Sequence, residues 1–228
     1  MRILAVDTAT TSCSVAIVDR ASLAAEFTLN REETHSKHLM EMIDMILKIS
    51  GFDLSAVDGF AVTKGPGSFT GLRIGISTIK GLAAASEKPI VGISSLEALA
   101  AQVALSRDLI CPLIDARKGE VYFSRYRSIN GRLKKQTDDL VTRPESALDD
   151  LNESCLFVGN GALIYKRIIL EKLGRLASFA PMTHHTIRAS AVAHLSMAKF
   201  NTQNTDKIEK FSPHYIRKSD AELKIGNT

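Results

Sequence analysis

The start of the chain alternates between apolar and polar segments in the manner of a small antiparallel sheet. Apolar and β-branched residues dominate Arg2 to Thr8, Cys13 to Asp19 and Ala24 to Asn30, and polar residues separate these segments. Strands that are joined by short polar turns pair with one another in antiparallel fashion. The sequence therefore predicts that the fold opens with three antiparallel strands.

After this opening, helical and extended patterns alternate. The periodicity predicts a helix over Ser36 to Ile49, a strand over Gly59 to Lys64, a helix over Phe69 to Ser86 and a strand over Pro89 to Ile93. Strands that alternate with helices continue a sheet through crossover connections. The first half of the chain is therefore predicted to have the order β-β-β-α-β-α-β.

The rest of the chain repeats this order in a shorter form. The predicted segments are a helix over Leu96 to Leu105, a strand over Leu109 to Ile114, a ribbon over Glu120 to Arg127, a short helix after Pro144, a strand over Leu156 to Gly159, and helices over Ala162 to Leu173 and Ala189 to Phe200. We predict a two-lobed α/β fold. The first lobe is assigned to residues 1–105, to which 211–228 return, and a smaller second lobe to 106–210.

The glycine-rich stretch GPGSFTGLRIG, Gly65 to Gly75, stands between a predicted strand and a predicted helix. The P-loop pattern fails because no lysine follows until Lys80, and the dinucleotide-binding pattern fails because Thr70 replaces its third glycine. Two interpretations stay open. Free N–H groups at the start of the helix can hold an anion, or the loop is a tight turn that Ser68 or Thr70 caps.

The composition is that of a globular protein with a core of its own, at 228 residues of which 45% are hydrophobic. Asp7 interrupts the apolar start too early for a signal peptide, and the sequence holds no run of about 18 apolar residues that would span a membrane. Cys13, Cys111 and Cys155 form no CxxC pair, which indicates reduced, buried thiols in a cytoplasmic protein.

The net charge of +4 is unevenly distributed, because cations concentrate in Arg117 to Lys135 beside one acid, Glu120. Such a stretch can attract the phosphates of RNA, although it offers few aromatic residues on which bases would stack. A solvated β-ribbon with lysine-rich edges explains the same composition. The sequence favours the ribbon and leaves contact with tRNA open.

Two predicted helices carry wider apolar faces than a single core requires. In Ser36 to Ile49 the apolar residues cover roughly 220°, against roughly 100° for a helix that packs on one core. In Phe69 to Ser86, small residues stand at spacings that let another helix come close. We expect contact with a partner protein, and a fully internal first helix is the alternative. The expected interface residues are Leu39, Met42, Ile43, Ile46, Leu47, Gly71, Arg73, Gly75, Thr78 and Leu82.

The histidines do not form a recognisable metal set. His35 and His38 are three residues apart with Glu41 as the nearest carboxylate, and the neighbours His184 and His185 point apart if the backbone is extended. The sequence contains no HExxH motif and no serine or cysteine catalytic motif. We therefore expect neither a metal site nor peptidase activity.

The order of the elements, with a carboxylate at the end of the first strand, resembles the actin and sugar-kinase superfamily of two similar ribonuclease H-like lobes. The resemblance implies that the turn after Asp7 touches ATP phosphates and metal, and that a glycine turn in the second lobe touches adenosine. The turn Asp7 to Ser12 lacks the glycines that let phosphates approach the backbone, so catalytic use of ATP is not expected. The candidate vestigial nucleotide contacts are Asp7, Thr8, Thr10, Gly159 and Gly161. A helix-entry turn explains the glycine pair equally well.

Distinctive motifs occur in a fixed order along nearly the whole chain. They are VDTATTS at Val6 to Ser12, THS at Thr34 to Ser36, KGPGSFTGLRIG at Lys64 to Gly75, GISSLEALA at Gly92 to Ala100, IDARKGEVY at Ile114 to Tyr122 and PHYIR at Pro213 to Arg217. Together they resemble the TsaB family of bacterial, glycoprotease-like subunits. The resemblance implies a non-catalytic role in making threonylcarbamoyladenosine next to the tRNA anticodon.

The same resemblance implies the partners. They are a TsaD-like transferase paralogue that carries the metal, a TsaE-like ATPase, tRNA bound through the complex, and a second copy of the chain when it is alone. The chain is expected to have no catalytic residue and no cofactor of its own, with ATP or ADP at the partner interface. One alternative is a small-molecule kinase of the same superfamily, which the glycine-poor turn after Asp7 disfavours. The other is a metallopeptidase, which the missing set of metal ligands disfavours.

Overall fold

The first of two β-sheets holds the start of the chain. This computed structural model describes residues 1–20, 22–30 and 35–217. The strand order of the first sheet is β3-β2-β1-β4-β5. Its strands are β1 (Arg2–Asp7), β2 (Ser12–Asp19), β3 (Ser22–Asn30), β4 (Gly59–Gly65) and β5 (Ile90–Ser94). Strands β1 to β3 pair antiparallel, whereas β1, β4 and β5 pair parallel, so the predicted opening and crossovers are confirmed.

The second sheet repeats the plan of the first. Its order is β10-β7-β6-β11-β12, and a hairpin of β8 and β9 joins it at β6. Its strands are β6 (Leu109–Arg117), β7 (Glu120–Phe123), β8 (Tyr126–Ile129), β9 (Arg132–Lys135), β10 (Leu140–Thr142), β11 (Cys155–Val158) and β12 (Ala177–Phe179). The first three strands in this order pair antiparallel and the last three parallel, as in the first sheet.

The second sheet departs from the prediction where its strands are short. The ribbon predicted over Glu120 to Arg127 is interrupted between β7 and β8, where Ser124 Oγ donates to Thr137 O at 2.7 Å. Strands β9, β10 and β12 contain only three or four residues each. Such strands are too short to show the alternation from which a strand is predicted.

The helices agree with the sequence pattern except at their ends. They are α1 (Leu39–Ser50), α2 (Phe69–Ser86), α3 (Ser95–Ala101), α4 (Pro144–Ala147), α5 (Asn160–Ile164), α6 (Lys166–Leu173) and α7 (Ala189–Asn201). Helix α2 has the predicted bounds, whereas α1 begins late because His35–Lys37 form a 3₁₀ turn. The helix predicted over Ala162 to Leu173 is divided at Tyr165. None of the helices in the described ranges is long and apolar enough to cross a membrane.

Helices cover both faces of the first sheet. Helices α1 and α2 pack on one face, in a core that contains Ile43, Ile79 and Phe60. Helices α3 and α7 pack on the other face, in a core that also takes in Ile110 and Val158 of the second sheet. Helix α7, which the sequence assigns to the second lobe, contacts β1, β2, β4 and β5. The lobe boundaries stay a prediction, because this core is common to both sheets.

The described end of the chain runs from the first sheet to the second. Phe211 is buried against the first sheet, and His214 N donates to Lys64 O at 2.6 Å. Arg217 donates to Ala116 O in β6 at 3.2 Å. Residues 211–217 therefore contact both sheets, and 218–228 lie outside the described residues.

Candidate functional site

The glycine-rich loop lies directly on the turn that follows β1. Ser68 N donates to Ala9 O at 2.7 Å, and Ser68 Oγ accepts from Gly71 N at 3.3 Å. A side chain at Gly67 would overlap the carbonyl oxygen of Ala9. The contacts support a tight turn with Ser68 as the helix cap. They also leave Asp7 fully buried beneath the loop.

Gly71 and Gly75, which the sequence assigns to a partner interface, face the interior of this chain. A Cβ at Gly71 would overlap Thr8 O, and one at Gly75 would overlap Thr8 Oγ1. The missing side chains let α2 approach the end of β1, where Thr8 Oγ1 donates to Gly71 O at 2.8 Å. The close approach that these glycines allow is to Thr8, just after β1 of the same chain, and their place in a partner interface stays a prediction.

Arg73 is exposed, and its side chain contacts two aromatic residues of the same chain. Its guanidinium lies 3.8 Å from the centre of the Phe69 ring, and its Nε donates to Tyr215 Oη at 3.0 Å. Tyr215 stacks on Phe69 with ring centres 4.8 Å apart. Arg73 therefore holds the PHYIR segment of the tail against the first turn of α2.

Helix α1 divides its apolar residues between the core and the surface. Three of the predicted interface residues, Leu39, Ile43 and Ile46, are at most 2% exposed and belong to the core of the first sheet. Met42 and Leu47 are half-buried beside them. The exposed apolar residues are Met40 at 52%, Met45 at 52% and Ile49 at 66%. The apolar residues of α1 therefore face both the core and the solvent. The three exposed ones are not among the interface residues that were expected from the sequence.

The outward side of α2 is built from small residues. Thr78 and Leu82, both predicted at the interface, are half-buried. Gly81 is exposed, and a Cβ there would meet no atom within 4 Å. On α1, Met45 and Ile49 lie one turn apart on the same side, whereas Met40 lies on the opposite flank of the helix. We call the outward sides of α1 and α2 that carry Met45 and Ile49 and Gly81, respectively, the outer helix face. The interface itself stays a prediction.

Asp7 is a buried carboxyl with one satisfied and one unsatisfied oxygen. Its Oδ1 accepts from Thr63 Oγ1 at 2.7 Å and from Ala9 N at 3.1 Å, whereas the buried Oδ2 makes no hydrogen bond with the described part of the chain. Burial raises the pKa of Asp7 from 3.8 to about 7, against the lowering effect of the two hydrogen bonds. A carboxyl enclosed in this way serves the β1 turn and is not presented to a ligand at the surface.

This burial predicts a pH-dependent stability. Because the folded pKa is above the unfolded one, Asp7 stabilises the fold most below pH 3.8, and the contribution is lost as pH rises through about 7. The contribution of Asp7 to the free energy of unfolding that is lost over this pH range is on the order of 4 kcal/mol. Urea unfolding from pH 4 to 8 should show the wild type losing stability relative to Asp7→Asn, which does not titrate. Parallel curves for the two proteins would contradict a buried, protonated Asp7.

All three cysteines carry free thiols in buried positions, as the sequence predicts. Burial, with a smaller effect of the Asp7 carboxylate, raises the pKa of Cys13 to about 12. A thiol with such a pKa is neither a nucleophile nor a metal ligand at neutral pH. Cys13 therefore acts as a small core residue of β2.

The remaining candidate nucleotide contacts have partners within the chain. Gly159 has a positive φ of 105°, and a Cβ there would overlap Leu113 O in β6. Gly161 also packs on the backbone of β6. Thr10 Oγ1 hydrogen bonds to Ser12 Oγ at 2.9 Å. These contacts support the helix-entry interpretation of the glycine pair, and a role in nucleotide binding stays a prediction.

The side chains of His35 and His185 bond to backbone carbonyls. His35 Nε2 lies 2.8 Å from Thr10 O, so the 3₁₀ turn before α1 is tied to the turn after β1. His185 is buried with Nδ1 3.0 Å from Gly159 O and Nε2 2.8 Å from Ala180 O. Across the described residues, histidine, cysteine and carboxylate side chains form no group of three suited to a metal ion.

The basic stretch Arg117 to Lys135 is partly neutralised within the chain. Arg127 pairs with Glu153 at 2.5 Å, and Lys135 pairs with Asp139 at 2.7 Å. The exposed tip of the β8-β9 hairpin still presents Arg132 and Lys134. The hairpin confirms the predicted ribbon, whereas contact with tRNA stays a prediction.

Comparison with known sequences places the chain among proteins of one pathway. Residues 23–225 match the family model of TsaD, described as a tRNA N6-adenosine threonylcarbamoyltransferase. The chain is 32% identical to the tRNA threonylcarbamoyladenosine biosynthesis protein TsaB of Bacillus subtilis, over 98% of this chain and 97% of that protein. It is 34% identical to the protein of the same name from Escherichia coli, over 99% of this chain and 98% of that protein.

Solved structures agree with this placement. A Pseudomonas aeruginosa protein described as similar to the peptidase YeaZ superposes with a TM-score of 0.81 at 27% identity, covering 95% of this chain and 99% of that one. The ethanolamine utilization protein EutJ of Carboxydothermus hydrogenoformans, at 10% identity and a TM-score of 0.55 over 85% of this chain and 89% of that one, shares the fold alone. The fold is the two-lobed actin-like α/β fold that the sequence predicts. The chain belongs to the TsaB family of tRNA threonylcarbamoyladenosine biosynthesis proteins.

Proposed function

We propose that this chain takes part in making threonylcarbamoyladenosine in tRNA as a non-catalytic subunit that docks on a TsaD-like transferase. Membership of the TsaB family supports the pathway. The observation that carries the docking role is the outer helix face, where Met45 and Ile49, one turn apart on α1, are each at least half exposed. Large apolar side chains grouped on one helix are typical of a surface that a partner covers.

The surroundings of Asp7 support a docking role over a catalytic one. A carboxylate that organises the metal and phosphates of ATP has to reach the ligand, whereas Asp7 and Thr8 are fully buried beneath the glycine loop. In the same turn, the carbonyl oxygen of Ala9 already accepts a hydrogen bond from Ser68 N. On this proposal, ATP or ADP belongs to the partner interface rather than to the turn after β1.

The outer helix face also explains the other expected partners. Without the transferase, a second copy of the chain covers the same apolar residues and forms a homodimer. The transferase, once docked, supplies the metal and the chemistry, and a TsaE-like ATPase resets the assembly. Transfer RNA meets this chain only as part of the complex.

Omission of the chain from a reconstituted reaction tests the proposal. We expect threonylcarbamoyladenosine to fall to background when the chain is left out of a mixture of transferase, ATPase, threonylcarbamoyl-adenylate and tRNA, and to return when it is added. The isolated chain should hydrolyse ATP at the rate of a buffer control. Undiminished product without the chain, or phosphorylation of a small molecule by the chain alone, contradicts the proposal.

A further inference from the structure

A cavity of about 130 Å³ lies at the β5 edge of the first sheet, apart from the outer helix face. It is lined by Lys64, Asp206, Lys207, Lys210, Phe211 and Ser212. Three of these six residues are lysines, contributed by β4 and by a segment far away in the sequence. Sequence patterns did not single out this cluster, because only the fold brings its parts together.

The segment that completes the cavity is fastened to β5. Asp206 N donates to Ile90 O at 2.9 Å, and Asp206 Oδ2 accepts from Gly92 N at 2.8 Å. A Cβ at Gly92 would come within 2.7 Å of both the Lys64 stem and the Phe211 ring. Because Gly92 has no side chain, Lys64 and Phe211 both lie against β5, and the Lys64 ammonium is held at the cavity.

The charge of the residues that line the cavity is positive. Within the described residues, the ammonium groups of Lys64, Lys207 and Lys210 make no hydrogen bond or ion pair, and Asp206 is the one acid of the lining. Two further lysines border it, since Lys80 Nζ donates to Phe211 O and Lys199 Nζ donates to Gly92 O, each at 3.0 Å. Gathered lysines repel one another, so an anion relieves the repulsion.

The basic hairpin of the second sheet ends near the cavity. The carboxyl of Glu97 in α3 interacts electrostatically with Lys199, with Lys135 at the end of β9, and with Lys64. Arg132 and Lys134 are also exposed, but successive side chains of a strand point to opposite faces, so these two do not share the face of Lys135. Lysines from both sheets therefore lie around one acid, and cations that span two sheets suit an extended polyanion better than a single small ion.

We propose that this cavity binds a backbone phosphate of tRNA. The inference rests on the proposed function, which makes tRNA the polyanion that the assembled complex holds. Lysine ammonium groups act as compact point charges that attract phosphate without reading bases. The cavity therefore positions tRNA rather than selecting its sequence.

The test compares the double variant Lys207→Gln/Lys210→Gln with the control Arg107→Gln/Arg175→Gln, which removes two exposed cations outside the cavity. Binding of tRNA to the assembled complex is measured as a function of salt. We expect the cavity variant to weaken binding about 10-fold at low salt and to reduce the slope of log K against log salt by about 1–2. The control should alter both quantities much less.

Equal tRNA binding by the two variants overturns the proposal. So does a cavity variant that loses binding of inorganic phosphate or ATP while its tRNA binding is unchanged, since the ligand is then a free phosphate. Unfolding curves for both variants establish that the fold is intact. Omission of the wild-type chain from the modification reaction tests the proposed function separately, so failure of the two ideas is distinguishable.

Discussion

Alanine at Gly75 is expected to lower the free energy of unfolding by about 2–3 kcal/mol, whereas alanine at Gly81 raises it by about 0.5–1 kcal/mol. Both glycines lie in α2, and both changes bring the same gain in helix propensity. They differ in what the new Cβ meets: Thr8 Oγ1 at Gly75, and no atom within 4 Å at Gly81. The difference between the two variants therefore isolates the close packing of α2 on β1.

The loss at Gly75 is large because its neighbours have little freedom to move. Thr8 is fully buried, and its hydroxyl donates to Gly71 O at 2.8 Å. A shift of Thr8 would break this hydrogen bond, and a shift of α2 would open the core around Ile76 and Ile79. Either response lowers the free energy of unfolding.

Urea unfolding of the wild type, Gly75→Ala and Gly81→Ala measures the difference at constant pH. The midpoints should move in opposite directions for the two variants. If Gly75→Ala is as stable as Gly81→Ala, the helix does not pack on β1 as described.

Glutamate at Met45 is expected to weaken binding of the TsaD-like transferase about 30- to 700-fold, which corresponds to about 2–4 kcal/mol. Met45 is 52% exposed and lies one turn from Ile49 on the outer helix face. In the complex, the new carboxylate would be buried beside Met42 and Ile49, and the nearby Lys48 already pairs with Asp44 at 2.6 Å. Stability of the free chain should change little, because the side chain is half in solvent.

Met182→Glu is the matched control, since Met182 is 85% exposed and lies outside α1 and α2. Ile43→Glu is not a useful test, because Ile43 is only 2% exposed and a charge there would unfold the protein. Titration calorimetry with purified transferase gives the affinities. Equal affinity of the Met45 and Met182 variants would remove α1 from the interface.

The arrangement of strands and helices is largely predictable from local pattern. Helix α2 has an apolar stripe, a serine cap and a glycine loop before it, so its bounds follow from sequence. The antiparallel opening follows from three alternating segments with short turns. A strand of three residues such as β12 is too short to show the alternation of apolar and polar residues from which a strand is predicted. Only its pairing with β11 identifies it as a strand.

The site is less predictable, because a pattern shows that a face is apolar or small but not what covers it. The wide apolar arc of α1 predicts a core contact and a partner contact, yet nothing local tells that Ile43 faces the core while Met45 faces outward. The spacing of Gly71 and Gly75 indicates close packing, but their neighbour, Thr8, is distant in sequence. The lysine cavity depends on the return of residues 206–212 to β5, which leaves no periodic signal.

The central claim is that this chain supports modification by docking and not by catalysis. The most direct measurement is threonylcarbamoyladenosine formation by the complete assembly that contains the wild type, Asp7→Asn or Met45→Glu, with subunit binding followed in the same samples. The account predicts that Asp7→Asn keeps activity within several-fold, because Asp7 is a buried turn residue, and that Met45→Glu loses activity together with binding. Loss of turnover in Asp7→Asn with normal folding and binding, beside full activity in Met45→Glu, would contradict it.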